Sequence, residues 1–261
     1  MNIDNKVILI TGASSGIGRA TALMMAGHNN RLVIVARREN LLREVSAKIR
    51  DQGSECLYFA GDAMDEQFGE YVVRKTVEAY GGIDIAIMVV GIGPPSNTLT
   101  ASSEKIKFCM DANFDTFINF YVPIMRQMKT QKTECMISHV NSLASFFGVP
   151  MQGDYVAAKG GVRLFLDTAR MELKHFGYKN IHIQTIHPSF VDTEAVRNDG
   201  IPAPGEISEE KSAEYIIKGI KKNTKRNMFP FTPALLTRLS VRVFTDWLIT
   251  KVELSQTPKN Y

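Results

Sequence analysis

The sequence has little of what marks a disulfide-stabilised or membrane-spanning protein. Its 261 residues include only three cysteines, an odd number without a Cys-x-x-Cys pair, so a disulfide framework is not expected and a reducing compartment fits best. No run of 18 uncharged apolar residues occurs, and the first residues lack the basic and then apolar order of a secretory signal. We therefore expect a soluble, cytoplasmic protein in which Cys56, Cys109 and Cys135 are buried or bystander thiols.

Charge of one sign is also scarce. The chain has 31 Lys and Arg against 27 Asp and Glu, a formal net charge of +4, which is too diffuse to predict a nucleic-acid partner. The basic stretch 221–226 has no interleaved aromatic residues, and it is typical of the solvated C-terminal end of a helix. The five histidines show no His-Glu-x-x-His spacing, so no metal site is predicted.

Short runs rich in Val and Ile are present, and they alternate with longer segments of helical period. This order is typical of βαβ units and a parallel sheet. The runs lack apolar–polar alternation, as strands covered on both faces do. No linker divides the chain, so residues 1–261 are predicted to form one doubly wound α/β domain. The predicted strands cover about 6–10, 32–36, 55–60, 83–89, 135–141, 181–186 and 228–231. The predicted helices cover about 16–28, 39–52, 65–80, 103–128, 153–176 and 209–223.

A glycine-rich turn follows the first predicted strand. Glycine lets the backbone approach a pyrophosphate closely, and the helix that follows supplies free N–H groups and the positive end of its dipole. The spacing is Gly-x3-Gly-x-Gly, and a P-loop is excluded because Ile17 stands five residues after Gly12. A dinucleotide is therefore predicted to bind here. The residues expected to hold it are Gly12, Ser14, Ser15, Gly16, Ile17 and Gly18.

The end of the second strand is expected to select the cofactor. A carboxylate there would bind the ribose 2′-hydroxyl of NAD, but this strand ends in Ala36-Arg37-Arg38. Two guanidinium groups favour a 2′-phosphate through charge-assisted hydrogen bonds, so NADP(H) is predicted to be preferred, with NAD(H) possible. The alternative is that Arg37 and Arg38 only solvate the start of a helix, with Glu39 pairing with one of them.

Tyr155 and Lys159 lie four residues apart at the start of a long helical segment, and so on one face of it. An ammonium group near a phenol favours the phenolate, which would bring the pKa of Tyr155 closer to working pH. Tyr155 could then act as a general acid or base. Ser142 lies thirteen residues upstream, at the end of the fifth predicted strand, where catalytic groups of parallel sheets gather.

With these residues the chain closely resembles the short-chain dehydrogenase/reductase family. The resemblance rests on TGASSGIG, Asn113, Ser142 and YVAAK in that order, and it covers about residues 6–193. It implies a seven-stranded Rossmann fold. It also implies transfer of a hydride between nicotinamide C4 and a carbonyl or alcohol carbon.

The resemblance assigns a role to each matching position. Tyr155 would protonate the carbonyl oxygen and Ser142 would hydrogen-bond that oxygen. Lys159 would hold the nicotinamide ribose and lower the pKa of the tyrosine, and Asn113 would anchor a water molecule in the proton relay. The resemblance also implies further cofactor contacts. Asp62 and its neighbour Ala63 would lie beside the adenine, and Gly91 beside the adenosine ribose. Pro188 and Thr193 would line the nicotinamide.

Two segments depart from the family pattern. Met88-Val89-Val90-Gly91 stands where the family has Asn-Asn-Ala-Gly, so amide side chains that tie this strand to its neighbours are missing, and sheet stability or cofactor geometry is expected to differ. Ser189 replaces the glycine after Pro188, which could narrow the nicotinamide end.

The resulting hypothesis is an NADPH-preferring oxidoreductase acting on a small-molecule carbonyl or alcohol. The alternative is a non-catalytic NADP(H)-binding sensor or scaffold, for which the altered 88–91 segment is the main argument. We expect a homodimer or homotetramer without nucleic-acid or membrane contact. The residues expected to line an apolar substrate pocket are Ile92, Pro94, Pro95, Leu143, Phe146, Phe147, Met151, Phe190 and Ile201.

Two further segments are predicted in the C-terminal part of the chain. A substrate loop is placed at about 190–208, and an amphipathic helix at about 232–250. Its apolar residues are Leu235, Leu236, Leu239, Val243 and Trp247, beside Arg238, Arg242 and Asp246. Three roles compete for this helix: packing against the body or another subunit, closing over the substrate, or lying on a membrane surface.

Overall fold

A computed structural model describes residues 1–197, 203 and 205–243. The strands meet in a single sheet with the order β3-β2-β1-β4-β5-β6-β7, every neighbouring pair parallel. This confirms the predicted doubly wound α/β fold with seven strands. The strands are β1 (Val7–Thr11), β2 (Arg31–Ala36), β3 (Glu55–Ala60), β4 (Ile85–Met88), β5 (Cys135–Val140), β6 (Ile181–Pro188) and β7 (Arg226–Phe229).

Helices cover both faces of this sheet. Their bounds are α1 (Gly16–Ala26), α2 (Glu39–Asp51), α3 (Glu66–Tyr80), α4 (Ser103–Thr130), α5 (Gly153–His175), α6 (Glu194–Arg197), α7 (Glu209–Lys221) and α8 (Phe231–Val243). A 3-10 helix spans Leu143–Phe146. The sequence did not predict α6 or the 3-10 helix, because four residues are too few to show a helical period.

The core consists of two apolar layers separated by the sheet. On β1, Ile8 and Ile10 point into the layer that contacts α1, α2 and α7, whereas Leu9 between them points into the layer beneath α3, α4 and α5. Successive side chains of a strand alternate between faces, and here both faces are covered. This explains why the strands read as continuous apolar runs.

The strand order changes direction between β1 and β4, which lie side by side although β2 and β3 separate them in sequence. In open α/β sheets a crevice forms at the carboxyl ends of the strands at such a point, because the flanking connections leave in opposite directions. The fold therefore places the turn after β1 and the segment after β4 at the mouth of one crevice.

Several predicted features differ in detail or lie outside the described residues. Strand β4 ends at Met88, not Val89, and β7 begins at Arg226. All three cysteines are buried and free, as predicted. Helix α8 begins close to the predicted position, but Trp247, Asp246 and the rest of the predicted helix after 243 fall beyond the described residues. In the described ranges no helix is long and apolar enough to cross a membrane.

Candidate active site

A cavity of about 530 Å³ opens at the carboxyl ends of β1, β4, β5 and β6. It brings together Ser142, which follows β5, and Tyr155 and Lys159, which both lie on α5. Of the predicted cofactor residues, Ile17, Gly91, Pro188 and Thr193 also line it. Its apolar wall includes Ile92, Leu143, Phe147 and Phe190, as expected, and also Val149, Val191, Val196, Pro233 and Leu236.

The remaining predicted pocket residues do not line this cavity. Phe146 turns away and stacks near His187, with the Arg163 guanidinium 4.8 Å from its ring centre. Pro94, Pro95 and Met151 lie on the neighbouring loops without reaching the wall. Ile201 is outside the described residues. Helix α8 contributes Pro233, Leu236 and Thr237 to the wall. From the sequence alone, packing, substrate closure and membrane contact were all possible roles for this helix.

The glycine-rich turn after β1 allows a ligand to approach the backbone closely. Gly12 and Gly16 have φ angles of +68° and +58°, where a side chain would strain the backbone. A Cβ on Gly18 would lie 2.2 Å from the carbonyl oxygen of Gly12, so only glycine fits there. The first N–H groups of α1 lack partners within the helix. This cradle, with free N–H groups at a helix N-terminus, fits the pyrophosphate of a dinucleotide.

Arg38 extends over this turn. Its Nη2 donates to Ser15 Oγ at 2.6 Å and lies 3.4 Å from Ser14 Oγ, and its Nη1 forms an ion pair with Glu194 at 2.8 Å. Glu39 pairs with Arg43 and Arg38 with Glu194. That Arg37 and Arg38 only solvate the start of α2 stays the alternative. Arg37 is exposed. The side chain that reaches the turn is therefore Arg38.

Tyr155 and Ser142 face each other in the cavity. Ser142 Oγ accepts a hydrogen bond from the N–H of Ala144 at 3.1 Å, which leaves its hydroxyl proton for the phenol oxygen. Burial raises the pKa of Tyr155 above its ordinary value, although the hydrogen bond from Ser142 partly opposes this. The phenol is thus protonated at neutral pH.

Lys159 is 3% exposed, and its Nζ lies 3.4 Å from the Val140 carbonyl oxygen and 5.7 Å from the centre of the Tyr155 ring. Burial lowers the pKa of Lys159 to about 8. A Cβ on Gly91 would lie 2.7 Å from this nitrogen, so glycine makes room for the ammonium. The pKa of Tyr155 is shifted upward here, with burial as the largest cause, and its lowering by Lys159 stays a prediction.

Asn113 lies behind Gly91, on α4. Its Oδ1 accepts from the N–H of Ile92 at 3.2 Å, and its Nδ2 donates to the carbonyl oxygens of Ile92 at 2.7 Å and Cys109 at 2.8 Å. The side chain thus fixes the segment after β4 that lines the cavity. Anchoring of a water molecule by Asn113 stays a prediction.

Cys109 lies at the back of the same region, one helical turn before Asn113. Burial and the carboxylate of Asp154 raise the pKa of this thiol to about 11. Asp154 is 3% exposed; its Oδ1 accepts from the N–H of Tyr155 at 2.8 Å, whereas Oδ2 has no hydrogen-bond partner among the described residues. The sequence offered no signal for this buried carboxylate, since the residue before Tyr155 lies in an ordinary helical position.

The departures from the family pattern at Val89 and Val90 have a structural explanation. Val89 contacts one apolar layer of the core and Val90 the other. The N–H of Val89 donates to Thr11 Oγ1 at 3.1 Å, which ties this segment to the end of β1. Apolar contacts and one backbone hydrogen bond therefore hold the segment in place.

The buried side chain of His187 contacts the backbone of Ser142. His187 Nδ1 lies 3.1 Å from the carbonyl oxygen of Ser142 and 3.2 Å from Ser145 Oγ. Burial lowers the pKa of His187 to about 4, so the ring is neutral at neutral pH. Nothing in the sequence marked this contact. In the part of the chain that the structure describes, no cluster of three or more His, Cys, Asp or Glu could hold a metal ion.

The other predicted cofactor residues lie around the rim. Asp62 follows β3 and accepts from the N–H of Met64 at 3.0 Å, with Ala63 buried beside it. Thr193 contacts the phosphate turn, since a Cβ on Gly16 would lie 3.3 Å from its methyl group. Two acidic residues that the sequence did not single out also reach this turn: Glu194 through Arg38, and Glu209 through Arg19 at 2.8 Å.

Comparison with known proteins agrees with this architecture. The family model described as short chain dehydrogenase matches residues 6–202. An uncharacterized oxidoreductase of Listeria monocytogenes is 32% identical over 194 residues, which is 74% of this chain and 77% of the relative. The 11-beta-hydroxysteroid dehydrogenase B of Sesamum indicum is 33% identical over 176 residues, which is 67% of this chain and 48% of the relative.

A solved structure shows the same fold. The short-chain dehydrogenase/reductase from Burkholderia phymatum, in complex with NAD, superposes with a TM-score of 0.83 at 22% identity and covers 100% of this chain and 99% of that one. Nothing in these comparisons favours the non-catalytic sensor or scaffold.

Proposed function

The chain belongs to the short-chain dehydrogenase family and is an NAD(P)-dependent oxidoreductase, and we propose that it reduces an apolar carbonyl compound with NADPH. One observation carries this proposal: Ser142 and Tyr155 line the same largely apolar cavity, with the buried Lys159 beside them. When bound, the dinucleotide supplies the hydride at nicotinamide C4.

Tyr155 is the proposed proton donor. Its raised pKa keeps the phenol protonated at neutral pH, which is the state that an acid needs when a carbonyl oxygen becomes an alkoxide. Ser142 donates a hydrogen bond to the same oxygen and stabilises the developing negative charge.

Lys159 is proposed to hold the nicotinamide ribose. Its ammonium is buried at the wall of the cavity and reaches the carbonyl oxygen of Val140. A group with so few partners can donate further hydrogen bonds, and ribose hydroxyl oxygens would accept them. Asn113 is proposed as a positioning residue, because its amide fixes Gly91 and Ile92 at the cavity wall.

The proposed preference for NADPH depends on Arg38 and secondarily on Arg37. Arg38 already lies against the hydroxyl groups of Ser14 and Ser15 at the phosphate turn. Its guanidinium is therefore positioned to bind a 2′-phosphate by charge-assisted hydrogen bonds. Arg37 adds positive charge nearby.

An apolar substrate is proposed from the cavity wall. The residues from α8, the 3-10 helix and the segment after β6 are mainly aliphatic or aromatic, so burial of an apolar surface is the main available source of affinity. The relative from Sesamum indicum is named for a hydroxysteroid, which is an apolar alcohol. Helix α8 is proposed to cover the substrate, because Leu236 lines the cavity.

Thermal unfolding with each cofactor tests the nucleotide assignment. At 100 times its dissociation constant NADPH should add about 2.7 kcal/mol to the free energy of unfolding, a rise of about 5–10 °C in Tm for a chain of this size. The same concentration of NADH should give a smaller rise. Equal shifts for the two cofactors would refute the preference for NADPH, and consumption of NADPH with a panel of ketones and aldehydes would then test the reaction separately.

A further inference from the structure

Glu194 is the first residue of α6 and directly follows Thr193, which contacts the phosphate turn. Its carboxylate pairs with Arg38 at 2.8 Å, across the gap between the start of α2 and the segment after β6. The guanidinium proposed to read the 2′-phosphate is therefore already paired with an anion of this chain. Neither the sequence pattern nor the family resemblance assigned a role to Glu194.

The pair is partly exposed, with 42% of the Arg38 side chain and 55% of the Glu194 side chain accessible. Such pairs contribute little to stability, because solvent screens them. They can consequently exchange partners at little cost. A phosphate group that binds the same guanidinium would either displace the carboxylate or remain within a few ångströms of it, where like charges repel.

We propose that Glu194 sets the cofactor selectivity of this enzyme by competing with the 2′-phosphate of NADPH for Arg38. This inference rests on the proposed function, since it assumes that Arg38 reads the phosphate. NADH has no 2′-phosphate and leaves the ion pair intact. Glu194 therefore weakens the binding of NADPH and leaves that of NADH nearly unchanged, so its removal should increase the preference for NADPH.

The opposite effect would follow if Glu194 mainly held Arg38 in place. The structure argues against this, because a second nitrogen of the guanidinium is held independently by Ser15 Oγ at 2.6 Å, with Ser14 Oγ at 3.4 Å. Without Glu194, Arg38 would keep these contacts to the phosphate turn. Loss of the carboxylate thus removes an anion but retains the orientation of the cation.

Calorimetric titration of the purified full chain with NADPH and with NADH tests this competition. The measured quantity is the Kd for NADH divided by the Kd for NADPH. In Glu194→Gln this ratio should rise about two- to fivefold, the range of an exposed ion pair. The control is Glu214→Gln, which removes the same charge from an exposed pair with Lys211 on α7, and its ratio should equal that of the parent. In an Arg38→Met background the rise caused by Glu194→Gln should be smaller, because the competition for the guanidinium is gone and only repulsion between the carboxylate and the phosphate remains.

Three results would overturn the proposal: an unchanged ratio in Glu194→Gln, a fall in that ratio, or an equal rise in Glu214→Gln. A rise of the same size in the Arg38→Met background is a fourth such result, because competition for Arg38 is absent there. These outcomes differ from failure of the proposed preference, which would show as equal affinities of the parent for NADPH and NADH. Glu194→Gln would still be expected to create a preference in that case.

Discussion

The reacting end of the site and its cofactor-selecting end differ in how the chain holds their charged groups. Tyr155 and Lys159 face a cavity whose surroundings move both pKa values, and Lys159 is 3% exposed. Arg38 and Glu194 lie at the surface and hold each other. Burial thus fixes protonation at the proposed proton donor, whereas exposure leaves the ion pair exchangeable where we propose that the 2′-phosphate binds.

The largest expected effect concerns Tyr155. Tyr155→Phe removes the phenol proton but keeps the ring, so turnover should fall about 10²–10⁴-fold while the Kd for NADPH changes little. Steady-state rates and calorimetric titration measure the two quantities. Tyr178→Phe is the control, because Tyr178 contacts Lys129 far from the cavity. If the Tyr155→Phe enzyme kept the parent's turnover, Tyr155 could not be the proton donor.

The next prediction tests which of the two arginines, Arg37 or Arg38, binds the 2′-phosphate of NADPH. Arg38→Met should weaken NADPH binding about 10- to 150-fold, as the loss of a charge-assisted hydrogen bond of about 1.5–3 kcal/mol implies. Arg37→Met should cost less, since the Arg38 side chain is the one that contacts the phosphate turn. Binding of NADH should change little in both variants. If Arg37→Met weakens NADPH binding more than Arg38→Met does, then Arg37 and not Arg38 binds the 2′-phosphate.

Substitutions on helix α8 should have a smaller effect, on the KM for the substrate. Leu236 and Leu239 are both exposed on α8, but only Leu236 also lines the cavity. Leu236→Ala should raise the KM for an apolar ketone about three- to tenfold through lost apolar contact, and Leu239→Ala should match the parent. Equal KM values for the two variants would favour packing or surface roles for the helix over a substrate cover.

A further expected effect is on stability. The pKa of Lys159 is lowered to about 8 in the folded chain, below its ordinary value of about 10.4. Below pH 8 the folded state contains a buried ammonium, which costs free energy. Above pH 8 folded Lys159 releases its proton while the unfolded chain still binds one, so stability rises with pH in that interval.

Lys159→Met isolates this contribution from the other groups that titrate there, notably Cys109 and Tyr155, whose pKa values are raised. Urea denaturation without cofactor should show the variant as more stable than the parent at pH 7, with a gain that shrinks between pH 8 and pH 10. A gain independent of pH would show that the ammonium is not destabilised by burial.

The sequence predicted more of the fold than of the site's electrostatics. All seven strands were predicted. The covered central strands show Val- and Ile-rich runs, whereas β3 and β7, at the two edges of the sheet, contain neither residue. Ser142, Tyr155 and Lys159 were found at the carboxyl end of a strand or on one helical face. Glu194 and His187 were missed. Their contacts join segments 156 and 45 residues apart, and no local pattern encodes such pairings.

The direction of the tyrosine pKa shift could not be read from the sequence either. The four-residue spacing of Tyr155 and Lys159 indicates proximity, but the balance between burial and charge depends on what surrounds both side chains. The surroundings include Gly91, Cys109 and the segment fixed by Asn113, which only the folded sheet brings to the same place.

Transfer of deuterium from C4-labelled NADPH to an apolar ketone tests the central claim most directly. The parent enzyme should place the label on the carbinol carbon of the product, and Tyr155→Phe should bind the labelled cofactor but form almost no labelled alcohol. Tight binding of NADPH by the parent without transfer of the label to any ketone or aldehyde of the panel would contradict the account.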